Sequence, residues 1–363
     1  MKKILIMVNH DVAIYNSRKE LVEQLLDEGF EVIISSPYGE RIDDLIAMGC
    51  GYSEISMNRH GTNIIEEMVL LFQYFKLISN IKPNAVLTFT IKPNIYGGIV
   101  CRFKKIPYIA NITGLGTAVD NNGLMQKLTV KLYKIAFKRI NCVFFQNNEN
   151  LMFFNNKKIA IHKGKLIPGS GVNLEYFHLQ EYPKDDSVEF VFISRIMRKK
   201  GIDLYLEAAR YIREMYPNTV FHICGFCEEA YEEKLYEMQH KGIIIYHGMI
   251  RDVRKILSNI HCLIHPTFYP EGLSNVLLEG AASARPIITT NRAGCREVVV
   301  NGVNGYLIEE KSTSELIEKI ELFLKLSYEE KKRMGIEGRK KVQAEYDRKI
   351  VVNKYWEELL RIC

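Results

Sequence analysis

Pro266-Thr267-Phe268-Tyr269-Pro270-Glu271-Gly272-Leu273-Ser274-Asn275-Val276-Leu277-Leu278-Glu279-Gly280 is the stretch that decides the fold. It opens as a loop carrying one carboxylate, Glu271. A helix then begins around Leu273, Ser274 and Asn275, where small polar side chains favour a helix start. Glu279 falls about one turn inside that helix. Short apolar runs at 262–265 and 286–290 flank the stretch and read as strands. Exposed amides at a helix start bind phosphate. A carboxylate just inside such a helix accepts from ribose hydroxyls, as in dinucleotide sites. The combination suits a ligand that carries both phosphate and ribose, while two glutamates by themselves fit any loop and helix.

Working outward, the same alternation of strand and helix fills the chain. Strands are expected at 3–8, 31–35, 85–89, 108–112 and 142–146, with helices at 17–27 and 63–80. The pattern breaks around 167–173 and in the polar run 178–187, which places a hinge there. It restarts with strands at 189–193, 220–224, 243–246, 262–265 and 286–290. Helices are expected between them at 202–215, 229–241, 253–258 and 274–284, and at the end at 312–325 and 348–360. Continuous apolar strands alternating with helices argue for parallel sheets covered on both faces. The expected domains are 1–172, 173–345 and a last helix, 346–363, packing back toward the first domain. Two doubly wound α/β halves hold ligand in the cleft between them, beyond the C-terminal ends of the strands.

Composition sets the class. A chain of 363 residues exceeds one compact core. Its 47% hydrophobic and 25% charged residues match a globular enzyme. No apolar run reaches the ~18 residues that span a bilayer, and the run after Lys2 and Lys3 is too short for a signal peptide. The eight cysteines form no framework. Cys224 and Cys227 make the one C-x-x-C, with no second pair to complete a zinc site. Free thiols without an export signal point to the cytoplasm. The charge is uneven: residues 1–180 hold 21 Lys and Arg against 15 Asp and Glu, and residues 181–363 hold 28 of each. A basic first half points to an anionic partner on that half.

Ser194-Arg195-Ile196-Met197-Arg198-Lys199-Lys200-Gly201 follows the first strand of the second half. Arg195 offers a planar fork to phosphate oxygens and Lys200 a point charge. A charge run of this kind is also an ordinary solvated turn. Its place beyond a strand end, on the rim that Glu271 and Ser274 share, favours the phosphate reading.

The Arg-x4-Lys-Gly loop, the Glu-x7-Glu element and the Pro-Thr-Phe-Tyr-Pro-Glu-Gly lead-in together resemble glycosyltransferase family 4, of the GT-B fold, two Rossmann-like domains facing across a cleft. The resemblance covers the whole chain. Residues 91–98 and 107–116 are similar to enzymes that extend undecaprenyl-diphosphate-linked sugars, among them N-acetylgalactosaminyltransferases of capsule, O-antigen and N-glycan assembly. It implies retaining transfer of a hexose or N-acetylhexosamine from a UDP-sugar to a lipid-linked saccharide. Arg195 and Lys200 would neutralise the departing diphosphate, and Glu271 would contact sugar hydroxyls. Gly272 and the amides of Leu273, Ser274 and Asn275 would hold phosphate or sugar. Glu279 would bind the ribose and Ile250 would lie against the base. No Asp-x-Asp occurs, so no essential metal and no further cofactor is expected. The chain departs from the family's pattern in two places. The loop Asn111-Ile112-Thr113-Gly114 has no His facing the sugar, leaving Thr113 and Gly114 on the acceptor side. The loop after the first strand has His10 and no paired glycines.

Lys127, Lys131, Lys134 and Lys138 recur at spacings that share one helix face, with Leu128, Leu132, Ile135 and Phe137 as apolar neighbours. This reads either as a solvated basic face on a core-packed helix or as contact with an anionic membrane. Lys92 and Arg18 are candidates for gripping an acceptor diphosphate. The expected location is cytoplasmic, peripherally on the inner face of the plasma membrane. No nucleic-acid motif accompanies the basic stripe. Competing readings are a nucleotide-sugar 2-epimerase on the same fold and a non-catalytic sugar-nucleotide-binding protein. A Rossmann dehydrogenase is disfavoured because Asn9-His10-Asp11 stands where Gly-x-Gly-x-x-Gly belongs.

Overall fold

Lys-Ile-Leu-Ile-Met at Lys3–Met7 forms β1, and its last four residues are buried on both faces of a sheet. Alternate side chains supply opposite cores, as the two-residue period of a strand requires: Ile4 and Ile6 enter one cluster, Leu5 and Met7 the other. A strand apolar at every position can sit only in a sheet covered on both sides. The computed structural model describes residues 1–58, 61, 63–116, 123–184 and 186–363. Asp120, one of the 15 acids of the basic first half, lies outside them.

The chain forms two compact units. The first comprises Met1–Gly171, Pro270–Leu273 and Arg348–Cys363. Its strands after β1 are β2 (Glu31–Ser36), β3 (Gly51–Glu54), β4 (Ala85–Phe89), β5 (Tyr108–Ile112), β6 (Cys142–Phe145) and β7 (Gly164–Leu166). All pairings are parallel, in the order β3-β2-β1-β4-β5-β6-β7. Its helices are α1 (Asp11–Asp27), α2 (Ile42–Ala47), α3 (Ile64–Ile81), α4 (Gly98–Lys104), α5 (Leu124–Ala136) and α6 (Asn148–Asn156). A π-helical turn, Pro93–Gly97, leads into α4.

The second unit comprises Val172–Tyr269 and Ser274–Asp347. It holds β8 (Val188–Ile193), α7 (Ile202–Met215), β9 (Thr219–Cys224), α8 (Glu232–His240), β10 (Ile245–Tyr246), α9 (Arg254–Leu257) and β11 (Cys262–His265). There follow α10 (Asn275–Ala282), β12 (Ile287–Thr290), β13 (Gly305–Ile308), α11 (Thr313–Lys325) and α12 (Tyr328–Glu345). The sheet is again parallel, in the order β10-β9-β8-β11-β12-β13. In each sheet the strand order reverses once, between β1 and β4 and between β8 and β11. Doubly wound sheets bind ligands beyond the strand ends at such reversals. The last helix, α13 (Arg348–Ile362), belongs to the first unit, with the Tyr355 ring tilted against Phe144, centres 4.6 Å apart.

Local chemistry explains where the elements depart from expectation. Helix α1 starts at Asp11, six residues before the expected position, because His10 Nδ1 accepts from the Val12 amide and caps it there. Helix α12 is not evident in the sequence because Gly335 and Gly338 weaken its helical propensity. A reciprocal Ser327–Glu330 capping box starts it. Gly335 is required by packing: a Cβ there would lie 2.1 Å from the Ala284 carbonyl oxygen. Among the described residues no helix is long and apolar enough to cross a membrane.

Candidate active site

In the second unit, the loops leaving β8 and β11 flank the strand-order reversal and are locked together. The amide of Phe268 donates to the Lys199 carbonyl at 2.9 Å, and Thr267 Oγ1 donates to the same oxygen. Gly201 has φ +82, and a Cβ on it would sit 2.2 Å from the Pro266 carbonyl oxygen. Glycine therefore allows both the left-handed turn and the close approach. The result brings Arg195 and Lys200 over one aromatic ring: the guanidinium carbon lies 5.4 Å and the ammonium 4.9 Å from the centre of Tyr269. Lys200 is only 8% exposed.

Arg195 has a second partner, Glu228, at 2.5 Å. Burial acts against its charge, but Glu228 and Tyr269 more than offset this and hold its pKa above the ordinary value. Glu228 is carried by the loop after β9. That loop is zipped onto the Arg195 loop by hydrogen bonds between Ile196 and both Phe226 and Glu228. Two basic side chains on one ring, with Arg195 held by a carboxylate, can neutralise a diphosphate. Ile250 is half-buried in the loop that follows β10. Glu279 is half-buried on α10, and Ser274 is the N-cap residue of that helix.

The phosphate role expected of two amides is corrected by the hydrogen bonding. The Ser274 amide donates to the Gly294 carbonyl at 2.8 Å, and the Leu273 amide donates to Gln146 Oε1 at 3.1 Å. Both are committed within the protein, because the chain uses them to fix the entry to α10. Asn275 stands inside the first turn of the helix.

In the first unit, the segment Pro270–Leu273 is held by the end of β6. The Asn147 amide group donates to the Glu271 carbonyl at 3.2 Å and to the Gly272 carbonyl at 2.5 Å. Its oxygen accepts from the Asn150 amide at 2.9 Å and so caps α6. Gln146 donates to Asn111 Oδ1 at 3.3 Å, and Asn111 in turn donates to the Tyr355 hydroxyl. Thr113 and Gly114, after β5, pack on this segment. A Cβ on Gly272 would lie 2.4 Å from the Thr113 carbonyl oxygen and 2.3 Å from Gln146 Oε1. A Cβ on Gly114 would lie 3.0 Å from the Pro270 carbonyl oxygen. Glu271, Gly272, Thr113 and Gly114 thus form one cluster, and Arg195, Lys200 and Tyr269 another.

Two acceptor-side cations prove to be internal. Lys92 donates to the carbonyls of Asn58 and Gly61 and to Glu67, which uses all three of its hydrogens. Arg18 is 3% exposed, with its guanidinium carbon within 6 Å of the rings of both Phe89 (5.5 Å) and Tyr355 (5.8 Å). Burial lowers its pKa, with Tyr355 partly offsetting the effect. Its packing ties α1 to α13 rather than offering a surface charge. Lys127, Lys131, Lys134 and Lys138 are all exposed, as are Leu128 and Ile135, whereas Phe137 is core.

Sequence reasoning missed Glu228, Asn147 and Gln146, and quoted Tyr269 without giving it a role. Gln-Asn-Asn after an apolar strand is a capping signal that marks 146–148. Nothing local marks Glu228 as the partner of Arg195, since the two are 33 positions apart.

Residues 3–147 match the family model described as glycosyl transferase 4-like, and residues 177–341 match glycosyl transferases group 1. The chain is 25% identical over 361 residues to the N,N'-diacetylbacillosaminyl-diphospho-undecaprenol alpha-1,3-N-acetylgalactosaminyltransferase of Campylobacter jejuni, covering 94% of each chain. It is 27% identical over 270 residues to the UDP-Gal:alpha-D-GlcNAc-diphosphoundecaprenol alpha-1,3-galactosyltransferase of Escherichia coli, 68% of each. A glycosyltransferase structure from Rickettsia africae superposes with a TM-score of 0.81 at 19% identity, over 99% of this chain and 98% of that one. With both halves matched in order and the same architecture throughout, the chain belongs to glycosyltransferase family 4 and has the GT-B fold.

Proposed function

We propose that this glycosyltransferase moves a hexose or N-acetylhexosamine from a UDP-sugar to an undecaprenyl-diphosphate-linked saccharide, with retention at the anomeric carbon and without an essential metal. The observation that carries the reading is the pair Arg195 and Lys200 over Tyr269, at the strand-order reversal of the second sheet. The names of the Campylobacter and Escherichia relatives support the lipid-linked acceptor, and the Escherichia name supports a UDP-sugar.

In this reading the bond from the anomeric carbon to the UDP β-phosphate oxygen breaks as the acceptor hydroxyl attacks from the same face. The departing phosphate takes the hydroxyl proton. Negative charge builds on the leaving oxygen, so fixed cations stabilise the transition state more than the ground state. Arg195 and Lys200 do this work, and Glu228 keeps Arg195 oriented before donor arrives. Glu279 accepts from the ribose, Ile250 lies against the base, and Glu271 contacts sugar hydroxyls. The exposed lysines of α5 support a peripheral location on the anionic inner face of the plasma membrane.

Thermal shift with UDP-, GDP- and ADP-sugars, with and without EDTA, tests the donor and the metal. Stabilisation by one UDP-sugar, unchanged by EDTA, is expected. No shift at saturating concentrations of any of them overturns the donor assignment, and a shift abolished by EDTA overturns metal independence.

A further inference from the structure

Helix α3 is apolar on two faces. Leu70, Tyr74 and Ile78 enter the core of the first unit. On the other side Ile64, Ile65, Met68, Val69, Phe72 and Phe75 are exposed, Ile64 to 76% and Phe72 to 69%. At about 100° per residue these six fall within an arc of roughly 140°, opposite the buried three. A surface helix of a water-facing protein carries polar residues on that arc. The stripe continues onto α4, where Phe103 is 75% exposed and stands 6.1 Å from Phe75. It reaches toward α5 through Arg102, which donates to the Ile135 carbonyl at 2.9 Å. On α5, Leu124, Met125, Leu128 and Ile135 are exposed among Lys127, Lys131 and Lys134, with Lys138 in the turn just after it.

Cations line this apolar surface. Lys76 lies on the exposed arc of α3, and the Lys104 ammonium sits 4.0 Å from the centre of the Phe75 ring. Glu67, the acid nearest the buried side of α3, is occupied by Lys92. Glu66 falls outside the arc at about 100° per residue. Long basic side chains around aromatic and aliphatic ones match the boundary between acyl chains and anionic headgroups. A contiguous exposed apolar surface on this scale marks an interaction site.

We infer that α3 and α4 insert into the bilayer: the exposed face of Ile64, Ile65, Met68, Val69, Phe72 and Phe103 enters the headgroup and acyl boundary, while Lys76, Lys104 and the α5 lysines hold the anionic headgroups. The inference rests on the reading that the acceptor is lipid-linked, and it assigns the anchoring to apolar insertion by α3 rather than to lysine charge alone.

Sedimentation of the full chain with vesicles of phosphatidylcholine and phosphatidylglycerol at roughly 3:1 tests this. The double variant Met68→Ser with Phe72→Ser is expected to reduce vesicle partitioning by roughly a hundredfold, at low and high salt alike. Lys127, Lys131, Lys134 and Lys138 changed to Gln are expected to lose binding chiefly at low salt. Both variants keep the wild-type circular dichroism melt and wild-type transfer to a short water-soluble acceptor. Partitioning of the α3 variant equal to wild type overturns the inference. So does a wild-type dimer in sedimentation velocity that the α3 variant makes monomeric with vesicle binding intact, because the stripe is then a subunit interface. A wild-type chain that binds vesicles through α3 but transfers sugar to no acceptor overturns the functional reading alone.

Discussion

Replacing Asn147 by Asp separates two jobs that one side chain performs. The oxygen that accepts from the Asn150 amide at 2.9 Å remains, so α6 keeps its cap. A carboxylate at a helix N-terminus is also favourable. The donor to the Glu271 and Gly272 carbonyls is lost, and a charged oxygen faces both of them. Asn147 is 3% exposed, so little water reaches the two carbonyls. Leaving one buried carbonyl unsatisfied costs about 1–3 kcal/mol. The segment relieves this by moving, and Glu271 moves with it. Taking about 2 kcal/mol of lost positioning, kcat/KM falls roughly 30-fold. The global stability of Asn147→Asp changes by less than that of Asn147→Ala, which also loses about 1 kcal/mol of capping. Initial rates of transfer from a labelled UDP-sugar, paired with urea unfolding, measure both. If Asn147→Asp transfers within twofold of wild type, the placement of Glu271 by Asn147 is not what the reaction needs.

Tyr269→Leu, removing the ring beneath Arg195 and Lys200, is expected to cut kcat/KM by roughly 5- to 30-fold at about 0.5–1 kcal/mol per cation–ring contact. Tyr269→Phe keeps most of the rate, and equal losses in the two would show that the ring is not the platform. Glu279→Gln should raise the UDP-sugar Kd, seen by calorimetry, whereas Arg195→Ala should lower the single-turnover rate more than acceptor binding; wild-type transfer by both displaces the site. His247 is stacked on His222, and burial, with that neighbour, lowers its pKa below the ordinary value near 6.5. The unfolded chain then binds the proton first, so this stability is complete above about pH 6.5 and is lost as pH falls toward the folded value, and because His247 is exposed, solvent screening keeps the effect small. Tm should decline from pH 7.5 to 5.5 and His247→Gln should flatten the decline, while an unchanged slope assigns it to other groups.

Much of the architecture was legible along the chain. Ile-Leu-Ile-Met after Lys3 has no polar position to leave in water, so it specifies a strand buried on both faces. Its repetition between helices specifies parallel doubly wound sheets. Arg195, Lys200, Glu271 and Glu279 were legible as candidates because each sits just beyond a strand end or just inside a helix, where such folds collect ligands. Helix α12 was hidden because Gly335 serves a neighbour's backbone and not the helix's own propensity.

What the sequence by itself determined is therefore local: which segments are strand or helix, and which charged residues stand at their ends. Only the tertiary structure decided which of those charges are available. Lys92 and Arg18 look like any surface cation in the sequence, yet one has all its hydrogens bound and the other is buried against two core rings. The amides of Leu273 and Ser274 stand at a helix start, yet Gln146 and Gly294 occupy them. The apolar residues of α3 satisfy a helical pattern whichever face is buried, and only packing shows that one face remains open. The physical reason is the same in each case. Strand and helix periodicity depends on neighbours along the chain, whereas the state of a donor, a cation or an apolar face depends on partners that folding brings from tens or hundreds of positions away.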